Sequence, residues 1–223
     1  MTDALSRNLT AATQGNTAEQ RAEAVNAIAA MALEPDKKLA FWMDAQGVRK
    51  VFIDAANRGE LASAHAIRAL ATLATEPTNV PEMWADATGV RAVFLAAAAP
   101  GQPEETRGHA ISALSIMAAD STNTQQMWAD AEGARSVLLA AATAGQPQQM
   151  REAALRAFAD FAFDTENASQ MWADTEGMRA VLVDAAAAGQ PEWTRCYAMR
   201  ALASCPLRDR ETSALLVSKK SMW

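Results

Sequence analysis

Four tryptophans, Trp42, Trp84, Trp128 and Trp172, each open the pattern W-x-D-x-x-G-x-R. The acid is Asp44, Asp86, Asp130 or Asp174, and the base five residues on is Arg49, Arg91, Arg135 or Arg179. A carboxylate and a guanidinium beside a glycine turn are parts of an acid–base or phosphate-binding site. Four copies argue against that use, because an enzyme works through one asymmetric pocket. The pattern predicts instead that each Asp caps a helix and each Arg pairs across the turn or to the next copy. The tryptophans are expected in the core, one bulky residue per stacked unit.

The other reactive side chains form no constellation. His65 and His109 stand 44 residues apart at one repeat position, with no Cys or carboxylate in the same column. Histidine ligates metal in clusters, so a solvated or partly packed role is expected here. Cys196 and Cys205 would lie about 13 Å apart along one helix, too far for a disulfide. Reduced thiols fit a cytoplasmic setting, with the nucleus as the other candidate. There is no Gly-rich phosphate loop, Cys/His cluster or nucleophile elbow. The expectation is a non-enzyme with no cofactor and no metal.

Composition limits the scaffold. The 223 residues include 54 alanines, while Phe, Trp and Tyr make up only 6% and the net charge is −6. Alanine favours helices and is depleted in sheets, so a β-sandwich or barrel is excluded. Nucleic-acid binders carry a basic surplus, so no nucleic-acid partner is expected. No run approaches 18 apolar residues, so no membrane insertion is expected. Residues 1–20 lack the basic-then-apolar order of a secretory signal.

The tryptophan spacings of 42, 44 and 44 residues set a repeat period of about 44. Each unit reads as three helices. The first runs up to the Trp, with Asn79, Asn123 or Asn167 as its expected N-cap. The repeated glycine Gly47, Gly89, Gly133 or Gly177 makes a sharp turn into the second helix. That helix ends at a left-handed glycine, Gly101, Gly145 or Gly189. Pro103, Pro147 and Pro191 are expected at the first position of the third helix. The third helix carries R-x-x-A-x-x-A-[LF], as in Arg107/Ala110/Ala113/Leu114. Residues 2–13 match a second helix, and Thr17 with Gln20 forms a capping box opening a third. Asp209–Val217 reads as a first helix, with Leu216 at the Trp position. The expected architecture is an all-α right-handed solenoid of about fifteen helices in one domain, 1–223. It divides into a partial repeat 1–35, repeats 36–78, 79–122, 123–166 and 167–206, and a capping helix 207–223.

These residues resemble the armadillo repeat, a unit of about 42 residues in three helices. Trp84-Ala85-Asp86-Ala87-Thr88-Gly89-Val90-Arg91 lies over that family's first turn, and Ala110–Ala118 over its third helix. HEAT repeats are close relatives. The resemblance implies a binding surface on the concave third helices. Import adaptors and catenins carry a Trp and Asn ladder there. Here the Trp places hold Asn26, Arg68, Ser112, Arg156 and Arg200, and the Asn places Ala30, Thr72, Ile116, Asp160 and Ser204. The ladder is absent.

Residues four apart share a helix face, which groups Glu152 with Arg156 and Asp160, and Cys196 with Arg200 and Ser204. Trp193 lies seven before Arg200 on the same face and is not a repeat core residue. The expected function is a non-enzymatic scaffold or adaptor. It binds an acidic or mixed-charge peptide, or a partner helix, through Asn26, Arg68, Thr72, Ser112, Glu152, Arg156, Asp160, Trp193, Arg200 and Ser204. One alternative is a structural subunit of a larger complex using its lateral or convex surface. The other is a HEAT-like enzyme, such as a bilin lyase or DNA glycosylase.

Overall fold

The computed structural model describes residues 3–15, 17–59 and 61–205, and these form fourteen α-helices, one 3-10 turn and no strand. Two helices come first, α1 (Asp3–Gln14) and α2 (Ala18–Met31). Four triplets follow. The first is α3 (Pro35–Met43), α4 (Val48–Asn57) and α5 (Ala62–Leu73). The second opens with the 3-10 turn Pro77–Asn79, then α6 (Val80–Ala85), α7 (Val90–Ala98) and α8 (Glu104–Ala118). The third is α9 (Ser121–Ala129), α10 (Ala134–Ala142) and α11 (Gln148–Phe161). The fourth is α12 (Thr165–Ala173), α13 (Met178–Ala186) and α14 (Glu192–Ser204). The all-α solenoid expected from the repeat is what is observed. The helix expected over 207–223, including Asp209–Val217 and Trp223, lies outside the described residues.

Each corner between first and second helix is built by the Asp. Asp44 accepts from the Gly47 amide at 3.1 Å through Oδ1 and from the Val48 amide at 3.0 Å through Oδ2. Asp86, Asp130 and Asp174 repeat this pair of bonds. They satisfy amides that a helix start leaves without partners. The glycine is required by crowding, not by an unusual φ. At Gly133, φ −103°, a Cβ would lie 2.3 Å from Asp130 Oδ2. The glycines after the second helices differ. Gly101, Gly145 and Gly189 adopt φ of 95°, 87° and 91°, the left-handed turn the sequence predicts.

Trp42, Trp84 and Trp128 are buried and Trp172 is half-buried. The arginine of each motif takes a different partner from the expected one. Its guanidinium lies over the Trp ring of its own unit, at 4.5, 5.0, 4.9 and 3.8 Å from the centroid in chain order. The Asp is occupied with two amides, and the aromatic face attracts the cation.

Two further expectations are corrected. Asn79, Asn123 and Asn167 do not cap the first helix with their side chains. Asp120 and Asp164 cap α9 and α12 instead. The buried asparagines donate backwards, to the carbonyls of Leu73, Met117 and Phe161 at the ends of the preceding third helices. Asn79 and Asn123 also reach the carbonyls of Lys38 and Val80 one triplet back. Pro103, Pro147 and Pro191 stand at the N-cap, one residue before the helix, and their carbonyls accept its first bond.

The third helices pack in series, α2 on α5, α5 on α8, α8 on α11 and α11 on α14. A column of small side chains, Ala24, Ala66, Ala110, Ala154 and Ala198, is buried along this wall, beside Ile28, Leu70, Leu114, Phe158 and Leu202. Alanine lets the helices approach closely, and the neighbouring large residue fills each layer.

Gly133→Ala is expected to break the Asp130 cap and cost about 1–2 kcal/mol, in line with losing an N-cap. Urea denaturation against the native chain, with Gly108→Ala as control, measures it. No Cβ clash is present at Gly108.

Candidate binding surface

Third helices place one face of the chain in a continuous register. On it the arginines reach back to the preceding third helix. Arg68 on α5 donates from Nη2 to Asn26 Oδ1 on α2 at 2.7 Å. Arg156 on α11 donates from Nε to Ser115 Oγ on α8 at 3.0 Å. Arg200 on α14 donates from Nη2 to Asp160 Oδ1 on α11 at 2.5 Å. Arg200 Nε is buried with no hydrogen-bond partner. Burial pushes the Asp160 carboxyl above its ordinary range, against the pull of Arg200 and then Arg156.

The remaining candidates behave differently. The Thr72 hydroxyl donates to the Arg68 carbonyl, and the Ser204 hydroxyl to the Arg200 carbonyl, so both close on their own helix. Glu152 accepts from Gln148 Nε2 at 2.9 Å. Asn26 is exposed on α2. Ser112 lines a cleft of about 520 Å³ between α8 and α11. Trp193 is 58% exposed.

Of the expected residues the structure joins Asn26 to Arg68 and Asp160 to Arg200, while Arg156 stands near enough to Asp160 to act on its charge and bonds Ser115, which was not among those expected. Three features were not anticipated. The first is the cleft itself, walled by Glu105, Gly108, His109, Met150 and Ala153 beside Ser112. It exists because Gly108 and Ala153 withhold side chains, and an absence carries no motif. The second is Tyr197, whose ring centroid is 6.0 Å from that of Trp193 one turn earlier. The third is Phe163, 70% exposed, with the Arg200 guanidinium 5.7 Å above its ring and 5.5 Å from that of Tyr197. The signal was present in the repeat columns, since Trp193 and Tyr197 replace Glu105 and His109.

His109 stands in the cleft wall with Nε2 3.8 Å from Glu105 Oε1. Burial holds its imidazole below the ordinary value, opposed by Glu105 and reinforced by Arg68. Cys196 is exposed and Cys205 is buried, both as free thiols. Among the described residues no group of three or more side chains could hold a metal ion, and no helix is long and apolar enough to cross a membrane.

No family model and no curated protein matches the chain in sequence. Solved structures do match in shape. A computationally designed armadillo repeat protein for modular peptide recognition superposes with TM-score 0.75 at 18% identity, over 91% of this chain and 82% of its own. A second designed armadillo repeat protein gives 0.74 at 17% identity, over 91% and 82%. An engineered protein gives 0.70 at 21% identity, over 92% and 79%. The fold is armadillo-like. In an armadillo-like stack the cleft, the arginine links and the aromatic strip all lie on the series of third helices.

A histidine whose folded value is depressed binds its proton less readily folded than unfolded. Stability therefore falls as pH drops below about 6.5, where the unfolded histidine begins to charge. His109→Gln is expected to flatten this fall between pH 7 and 5.5 in urea denaturation. An unchanged slope would contradict the burial of this imidazole.

Proposed function

We propose that this chain is a non-enzymatic protein-binding scaffold that holds a peptide or helix of a partner protein along its third-helix surface. The observation that carries the reading is the exposed Trp193, set against the half-buried Tyr197 on α14, on the same series of third helices that holds a cleft of about 520 Å³ between α8 and α11. Well-packed Trp and Tyr dominate interface energies, and an aromatic exposed on a rigid helix loses little entropy on binding. Solenoids use one helix per unit in this way. Two of the structural neighbours are designed armadillo repeat proteins, one of them described as made for modular peptide recognition, which supports the reading by analogy of fold.

The partner is of acidic or mixed charge. Arg68 and Arg156 each bond a neutral acceptor, so a partner carboxylate gives either one a charged acceptor. Glu104 and Glu105 at the cleft mouth suit a cationic group on the same ligand. We place the protein in the cytoplasm or nucleus, where its two free thiols persist. A second reading, a subunit docked through its lateral edge, is favoured by Leu39 and Met43. They lie four apart on α3 and are 46% and 65% exposed.

Affinity purification from the native organism, followed by titration of the captured partner, separates the two. Trp193→Ala is expected to weaken binding about 30-fold, the size of a hot-spot loss of about 2 kcal/mol. Arg68→Glu with Arg156→Glu is expected to weaken it further, while Leu39→Lys with Met43→Glu leaves it intact. The opposite pattern would transfer the function to the lateral edge.

A further inference from the structure

Arginines near the start of the third helices reach into the unit that follows. Arg151 on α11 donates from Nε to the Ala142 carbonyl at 3.0 Å, from Nη1 to Gln190 Oε1 at 2.6 Å and from Nη2 to Asp184 Oδ2 at 2.8 Å. The carbonyl belongs to its own unit and the two side chains to the next. Arg107 on α8 takes the same place one unit earlier and donates from Nη2 to Gln146 Oε1 at 3.2 Å. Ala140 stands there at the position that Asp184 holds one unit on, so the place seats a guanidinium without that carboxylate. On α5 the position holds Ser63, three residues before Ala66, as Arg107 is before Ala110 and Arg151 before Ala154.

The shorter side chain leaves a hollow of about 210 Å³, bounded by Ala56, Gly59, Ser63, Ala96, Gln102 and Thr106. Its walls are the counterparts of what surrounds Arg151. Ala56 stands for Ala142, Gln102 for Gln190 and Ala96 for Asp184. From this match we infer that the hollow is a binding site for the guanidinium of an arginine side chain on a partner protein. The space suffices, because four heavy atoms need the room of four waters, about 120 Å³. The acceptors are in place. The Ala56 carbonyl takes the Ser63 hydroxyl at 3.1 Å and keeps a second lone pair for an N–H, the bond that Ala142 accepts from Arg151. Gln102 is exposed, and Ser63 is too short to reach it as Arg107 reaches Gln146. Arg58, at the end of α4, turns instead to the Ala12 carbonyl on α1. Charge agrees too, since a chain of net charge −6 draws a cationic partner. The planar fork of a guanidinium meets a carbonyl and an amide oxygen at once, and a lysine ammonium does not match that geometry. The hollow is separate from the α8–α11 cleft and from Trp193, and its assignment rests on neither.

Two experiments on the full chain test the site, one without a ligand and one with. Ser63→Arg supplies the side chain from within. It is expected to raise the melting temperature by about 2–4 °C, the shift that follows from one ordinary hydrogen bond in a protein of this size. The second experiment titrates the tripeptide acetyl-Gly-Arg-Gly-amide into the native chain and follows backbone amide shifts by NMR. Saturable shifts are expected at Gly59, Ser63 and Gln102, with a dissociation constant in the millimolar range that suits a single side chain. They are expected to vanish in Ser63→Arg. The matching lysine tripeptide is expected to bind about fivefold more weakly, and Gln102→Ala to weaken the arginine tripeptide about fivefold, each the size of one net hydrogen bond. No thermal gain from Ser63→Arg, no saturable shift at these residues, or equal binding of the two tripeptides overturns the inference. So does free L-arginine binding about tenfold more tightly than the tripeptide, which would assign the hollow to a small molecule.

Discussion

Everything in this molecule hangs on how the chain turns from the first helix of a unit into the second. One carboxylate grips two consecutive amides, and a glycine makes room for it. The distance from the missing Cβ position to the Asp oxygen is 2.2–2.4 Å at all four corners, so any other residue would push the carboxylate off the amides. The corner fixes where the tryptophan lies relative to the second helix. The arginine two residues beyond the glycine then covers the ring. With the corner angle constant, the third helices fall into register, and the surface they share is continuous.

The small residues do a second job. A solenoid core is thin, because each layer touches only its neighbours. Here one tryptophan per unit supplies bulk on the first helix, and alanine columns let the third helices close up. The same shortage of side-chain volume, carried to the surface at Gly108 and Ala153, opens the cleft between α8 and α11. Close approach inside and the hollow outside thus share one origin.

Much of the fold was legible in the sequence because its physics repeats. Four copies of one pattern separate the residues that build the corner from those that drift. What stayed hidden were choices among chemically similar roles. An Asn five residues before the tryptophan suits a cap by type, but Asp120 and Asp164, three residues earlier, take that role and leave the Asn to tie down the previous helix. An Arg near an Asp suggests an ion pair until the Asp is counted as already satisfied by two amides. At the candidate surface the columns of Arg68, Arg156 and Arg200 could be placed from spacing alone. Their partners could not, because Asn26, Ser115 and Asp160 lie 42, 41 and 40 residues upstream and sit on neighbouring helices.

The buried asparagine has a further consequence. Its amide belongs to one unit and the carbonyl it reaches to the unit before, so both inner units carry half of two joints. A copied stretch of about 44 residues, inserted between two existing units, would arrive with both halves already matched. Length is therefore open to change by duplication in a way that a protein with a single closed core does not permit. The number of layers can drift over descent while each joint stays the same.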